Sequence, residues 1–97
     1  MHNFKELKIW QKANKLAEDT YKILLEYPEF EKCGLTSQIR RSVTSIPSNI
    51  AEGSGRDSNR DFRRFLAISL GSSFELETQL ILSNSFGFIS EKKFNDY

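Results

Sequence analysis

Apolar residues recur at three- and four-residue spacings along three long stretches of this chain, which predicts three amphipathic helices. In the first, Ile9, Ala13, Leu16, Thr20, Ile23 and Leu24 form the stripe, widened by Trp10, Ala17 and Tyr21. Asn3 followed by Glu6 has the spacing of a capping box and places the helix start near residue 4. Tyr27-Pro28 stops it, because proline disfavours a helical residue before it. A short link leads to Thr36, a fair N-cap, and Leu35, Ile39, Val43, Ile46 and Ile50 mark the apolar face of a second helix. Pro47 falls inside this run and removes the amide that would bond the Val43 carbonyl. Either the helix stops near Ile46, or it continues with a kink while Ser and Thr side chains help to satisfy the freed carbonyl. Periodicity through Ile50 favours the kink, and Gly53 is read as the stop.

Ser58 with Asp61 makes a second capping box, opening a helix that reaches about Asn84, with Gly87 ending it. This helix carries two stripes. Phe62, Phe65, Leu66, Ser69, Ser72, Ser73, Leu76 and Leu80 form one, and Ala67, Leu70, Phe74 and Ile81 form the other. Two stripes predict burial on more than one side. Gly71-Ser72-Ser73 lowers helix propensity in mid-helix, and close approach of a neighbouring backbone is the expected return. Ser90-Glu91 begins a fourth helix of at most about two turns before Tyr97. Short connections make consecutive helices antiparallel neighbours. The expected fold is therefore all-α: one domain over 1–97, an up-down-up-down four-helix bundle with helices at about 4–26, 36–53, 58–84 and 90–97. Its second helix is kinked and its fourth slot is barely filled: either the fourth helix is truncated, or the exposed seam is covered by another subunit.

Composition changes this picture little. Hydrophobic residues at 38% and charged residues at 28% suit a globular protein, and no run nears the roughly 20 apolar residues that span a bilayer. The charged N-terminus lacks the apolar core of a secretory signal. Cys33 is the only cysteine, which excludes an intrachain disulfide and suits a reducing, cytoplasmic setting. Net charge is +1, yet all six arginines lie between Arg40 and Arg64 with only Glu52, Asp57 and Asp61 among them. A basic corner on a near-neutral protein follows.

Several segments fit one family in order: Ile9-Trp10-Gln11-Lys12-Ala13, Tyr27-Pro28-Glu29, Gly34-Leu35-Thr36-Ser37-Gln38-Ile39-Arg40-Arg41, and above all Ser45-Ile46-Pro47-Ser48-Asn49-Ile50-Ala51-Glu52-Gly53. Arg56, Phe65-Leu66, Gly71-Ser72 and Glu75-Leu76-Glu77 follow. Over residues 4–90 the chain closely resembles the bacterial four-helix-bundle proteins encoded in 23S rRNA intervening sequences, sometimes labelled S23 ribosomal proteins. The accessory variability determinant of diversity-generating retroelements looks like a relative. The resemblance implies a four-helix bundle that assembles as a ring-shaped homopentamer, and it does not imply an enzyme; none is expected. The retroelement relatives are markedly basic and are thought to bind nucleic acid and a reverse transcriptase; this chain departs from them in its +1 charge and its short final helix.

Candidate chemistry is sparse. His2 stands alone near a terminus, and one His with one Cys cannot form a typical zinc site. Cys33 reads as a semi-buried small residue. Glu75 and Glu77, two apart on a helix, point away from each other. Gly53-Ser54-Gly55-Arg56 precedes a helix but lacks the lysine and glycine spacing of a phosphate loop, and reads as a turn between helices. No cofactor, metal or small-molecule substrate is expected. Two constellations remain. Gln38, Ser42, Ser45, Asn49 and Glu52 share one face of the second helix, which is solvated, forms a ligand site, or is packed into a polar network for assembly with Arg40 or Arg41 of a neighbouring subunit as partners. The packed network is the favoured reading. Arg56, Arg60, Arg63 and Arg64 form a corner that, repeated around a ring, would hold RNA or DNA phosphates; the alternative is salt bridging to Asp57 and Asp61. The expected work is that of an oligomeric scaffold or adaptor with protein or RNA as partner.

Overall fold

The structure is a computed structural model that describes residues 3–95. The described residues contain four α-helices and no strand: α1 Lys8–Leu24, α2 Leu35–Ser54, α3 Asn59–Ser85 and α4 Glu91–Asn95. Short 3-10 turns at Phe4–Glu6 and Glu29–Glu31 precede α1 and α2. The expected first helix is thus divided. Leu7 is extended, so the Asn3 side chain caps the 3-10 turn by accepting the Lys5 N–H at 3.2 Å. Gln11 then ties that turn to α1 by donating to the Lys5 carbonyl at 3.0 Å.

At the start of α2, Thr36 is not the cap. Glu31 reaches forward and its carboxylate accepts the Leu35 N–H at 2.8 Å, placing negative charge at the positive end of the helix. From there α2 runs unbroken through Pro47 to Ser54. Side chains bond the carbonyls around the proline: Thr44 to Arg40 (2.8 Å), Ser48 to Thr44 (2.7 Å), Asn49 to Ser45 (2.8 Å), and Ser69 of α3 to Ile46 (3.0 Å). The expected compensation is therefore present, but it serves neighbours of the Val43 carbonyl rather than that group.

Helix α2 is the centre of the packing. It lies against both α1 and α3, whereas no close backbone approach links α1 to α3 among the described residues. Ile39 and Val43 are fully buried, and Ile46 and Ile50 extend the same face. Ala13 and Leu24 of α1 and Leu76 and Leu80 of α3 pack into the same core, with Tyr27, Leu35 and Ile89. Each of these Ile, Val and Leu side chains contributes about 1.5–3 kcal/mol by leaving water. The α2–α3 contact is close because small residues occupy it. Ser69 and Ser72 are buried there, and a Cβ on Gly53 would sit 2.7 Å from Phe65 Cβ. Gly53 is therefore a packing residue inside α2, not its stop.

Only one stripe of α3 is covered. Phe65, Ser69, Ser72, Leu76 and Leu80 are buried, while Leu70, Phe74 and Ile81 remain exposed. The helix ends in a Schellman motif: Gly87 takes φ +79°, Phe88 N–H bonds the Ser83 carbonyl, and Gly87 N–H bonds that of Asn84. The chain turned this way sets Phe88 against Tyr27, with ring centroids 5.8 Å apart. Ser90 caps α4, accepting the Lys93 N–H, and Lys93 pairs with Glu26 beyond the end of α1.

Candidate functional site

Helices α2 and α3 enclose a polar groove of about 330 Å³, lined by Gln38, Arg41, Ser42, Ser45, Ser72, Glu75 and Gln79. Ser45 and Ser72 share a hydrogen bond of 2.8 Å across it, and Asn49 Nδ2 donates to Ser45 Oγ at 2.9 Å. A three-membered polar chain thus joins the helices where bulky side chains would separate them. Gln38, Arg41, Ser45 and Asn49 of the expected network meet at or beside this groove. Glu52 does not join them; it pairs with Arg56 at 2.6 Å, with both side chains about half exposed. Arg40 lies off this face of α2, and neither Arg40 nor Arg41 makes an ion pair among the described residues.

The arginine corner forms where α2 meets α3. Phe65 holds two of its members: the Arg56 and Arg64 guanidinium carbons lie 4.8 and 4.5 Å from the ring centre. Arg64 also lies 3.8 Å from Asp61, a solvent-exposed pair of little energetic weight. Arg60 and Arg63 are exposed and make no ion pair among the described residues. Pairing within the chain therefore engages Arg56 and Arg64, through Glu52 and Asp61, and leaves the other two. The role of Phe65 as a plate for cations was not read from the sequence. The signal available was the spacing of Phe65 and Arg64 at the head of α3, but Arg56 comes from before the helix and only the fold brings it there.

Other candidates resolve differently. Gly53 and Ser54 are buried in α2, with the Ser54 hydroxyl bonded to the Ala51 carbonyl, so no loop is available there to hold a phosphate. Cys33 is exposed, not semi-buried, because it lies in the turn before α2. Glu75 lines the polar groove while Glu77 lines a different one, between α1 and α3. His2 lies outside the described residues. Among the described residues no group of three or more His, Cys, Asp or Glu side chains is placed to hold a metal, and no helix is long and apolar enough to cross a membrane. Lys15 is held above the ordinary lysine value by its hydrogen bond and charge pairing with Asp19, and it belongs to neither surface.

The family model for 23S rRNA-intervening sequence proteins matches residues 5–97. The chain belongs to that family. No curated protein matches it. Membership gives the Ser45–Gly53 segment a structural reading in this family member. Pro47 and Ile46 are buried, Asn49 and Ser45 carry the polar chain to Ser72, and Gly53 admits Phe65. The segment that looks most like a family signature is thus the α2 side of the contact with α3.

Proposed function

We propose that this family member is a non-enzymatic scaffold: a four-helix bundle of up-down-up-down topology that assembles in the cytoplasm as a ring-shaped homopentamer and presents its ring surface to a protein or RNA partner. The observation that carries this reading is the open seam between α1 and α3. Leu16, Leu76, Leu80 and Phe94 line a groove of about 510 Å³ there. Apolar walls of this kind gain stability when further polypeptide covers them, and in a homo-oligomer a neighbouring copy is always at hand. The polar groove beside Asn49 and Arg41 supplies hydrogen-bonding groups for register at such a contact. Native mass by light scattering tests the proposal. A mass of five protomers supports it, and a stable monomer across the accessible concentration range removes it.

A second reading is favoured by the unpaired Arg60 and Arg63 and by the two guanidinium groups gathered on Phe65. Repeated around a ring, these cations would bind RNA or DNA through phosphates, with no sequence preference. Affinity for a structured RNA would then fall steeply as salt rises. Arg60→Glu with Arg64→Glu should flatten that slope. A slope unchanged by the double substitution assigns the arginines to other work.

A further inference from the structure

The outward face of α3 is self-complementary. Ala67, Leu70 and Phe74 follow one another there at three- and four-residue spacing, all exposed, Leu70 to 56% and Phe74 to 58%. A Cβ added at Gly71 would meet nothing within 4 Å, so the face is open at its centre. Arg63 and Arg64 flank this strip toward the N-terminus, and Glu75 and Glu77 flank it toward the C-terminus. Arg63, Glu75 and Glu77 make no ion pair among the described residues.

The register of these residues has a centre. Arg63 and Glu77 each lie seven residues from Leu70, about 10.5 Å along the axis. The midpoint of Arg64 and Glu75 falls between Ser69 and Leu70, and that of Ala67 and Phe74 between Leu70 and Gly71. All three pairs therefore share one centre to within a residue, about 1.5 Å. Sides agree as well. Arg63, Leu70 and Glu77, at steps of seven, run down one flank of the strip, and Arg64 and Glu75 lie on the other. A twofold axis across the helix reverses height and preserves flank. It sets Arg63 opposite Glu77, Arg64 opposite Glu75, Phe74 over the small Ala67, and Leu70 against Leu70. A parallel pairing would instead place arginine on arginine and glutamate on glutamate.

We infer that the outer face of α3 is an isologous docking surface for a second copy of this chain, packed antiparallel about Leu70. The contact is distinct from the ring contact, because a twofold interface cannot by itself close a fivefold assembly, although Glu77 and Glu75 also edge the two grooves beside α3. It joins two rings, or two single chains.

Sedimentation and light scattering test it on the full chain. Arg63→Glu with Arg64→Glu puts like charges together, and should weaken the contact about tenfold or more and halve the native mass. Adding Glu75→Arg and Glu77→Arg should restore that mass. All four positions are exposed, so thermal melting should move little beyond the cost of taking Arg64 off Phe65 and Asp61, which Arg64→Gln alone measures. In a Cys33→Ser background, Leu70→Cys should oxidise to a covalent dimer in which the new cysteines meet at the axis. A mass that falls from ten protomers to five supports both this contact and the ring. A fall from two to one supports this contact and removes the ring. A five-protomer mass that ignores the double substitution overturns this contact alone, as would a four-site variant that stays at half mass; a chain that never exceeds one protomer overturns both this contact and the ring.

Discussion

Replacing Gly53 with alanine measures how tightly α2 and α3 are pressed together. Its new Cβ would lie 2.7 Å from Phe65 Cβ, 3.1 Å from Phe62 Cδ1 and 3.4 Å from the Phe62 carbonyl oxygen. Phe65 Cβ is one bond from the backbone and cannot swing aside, so the helices must separate or twist. Overfilling of this kind costs about 1–3 kcal/mol. Alanine also improves helix propensity by about 0.8–1 kcal/mol, which opposes the clash. Gly71→Ala isolates that second effect, because Gly71 is also inside a helix and its added Cβ would touch nothing within 4 Å. Gly71→Ala should therefore gain up to about 1 kcal/mol, while Gly53→Ala breaks even or loses up to about 2 kcal/mol. The gap between them is the packing term. For a domain of this size each kcal/mol moves the melting temperature by about 4–8 °C. Thermal melts at low protein concentration, followed by circular dichroism, should show Gly53→Ala melting at least several degrees below Gly71→Ala. If the two variants rise together, the close approach at Gly53 does not exist and the α2–α3 geometry is wrong.

Three further outcomes are expected. Ser72→Leu should lower stability by about 1–3 kcal/mol, because Ser72 is buried against α2 and bonded to Ser45; an unchanged denaturant midpoint would show that the helices have room. Glu31→Ala should cost about 0.5–2 kcal/mol in urea unfolding by removing the acceptor of the Leu35 amide, and a neutral result would assign the capping to solvent. Thr20→Val should stabilise by about 1 kcal/mol, since Thr20 is fully buried and its hydroxyl has no partner among the described residues; a loss on calorimetry would reveal a hidden bond to that oxygen.

Periodicity located the helices because an element that buries one face must repeat its apolar residues every three to four positions. The cores of α1, α2 and α3 were legible in this way, as were the Ser58 cap and the Gly87 stop. What went unread was short in range or long in reach. The break at Leu7 and the Glu31 cap depend on which of several local acceptors wins, and nearby residues offer more than one. Gly53 looks like a helix terminator on local grounds and becomes a packing site only because Phe65 arrives from α3.

The same division holds for the candidate surfaces. Sequence alone placed the arginines in one segment, put Gln38, Ser45 and Asn49 on one helical face, gave α3 two stripes, and carried the resemblance that the family match confirms. Spacing along a helix is enough for that, since it is a property of neighbours in the chain. Tertiary structure decided that Glu52 serves Arg56, that Phe65 gathers Arg56 and Arg64, that Ser45 meets Ser72, and that only one stripe of α3 is covered. Those outcomes depend on how α2 and α3 approach, and that approach is set by the summed fit of small and large side chains across two helices.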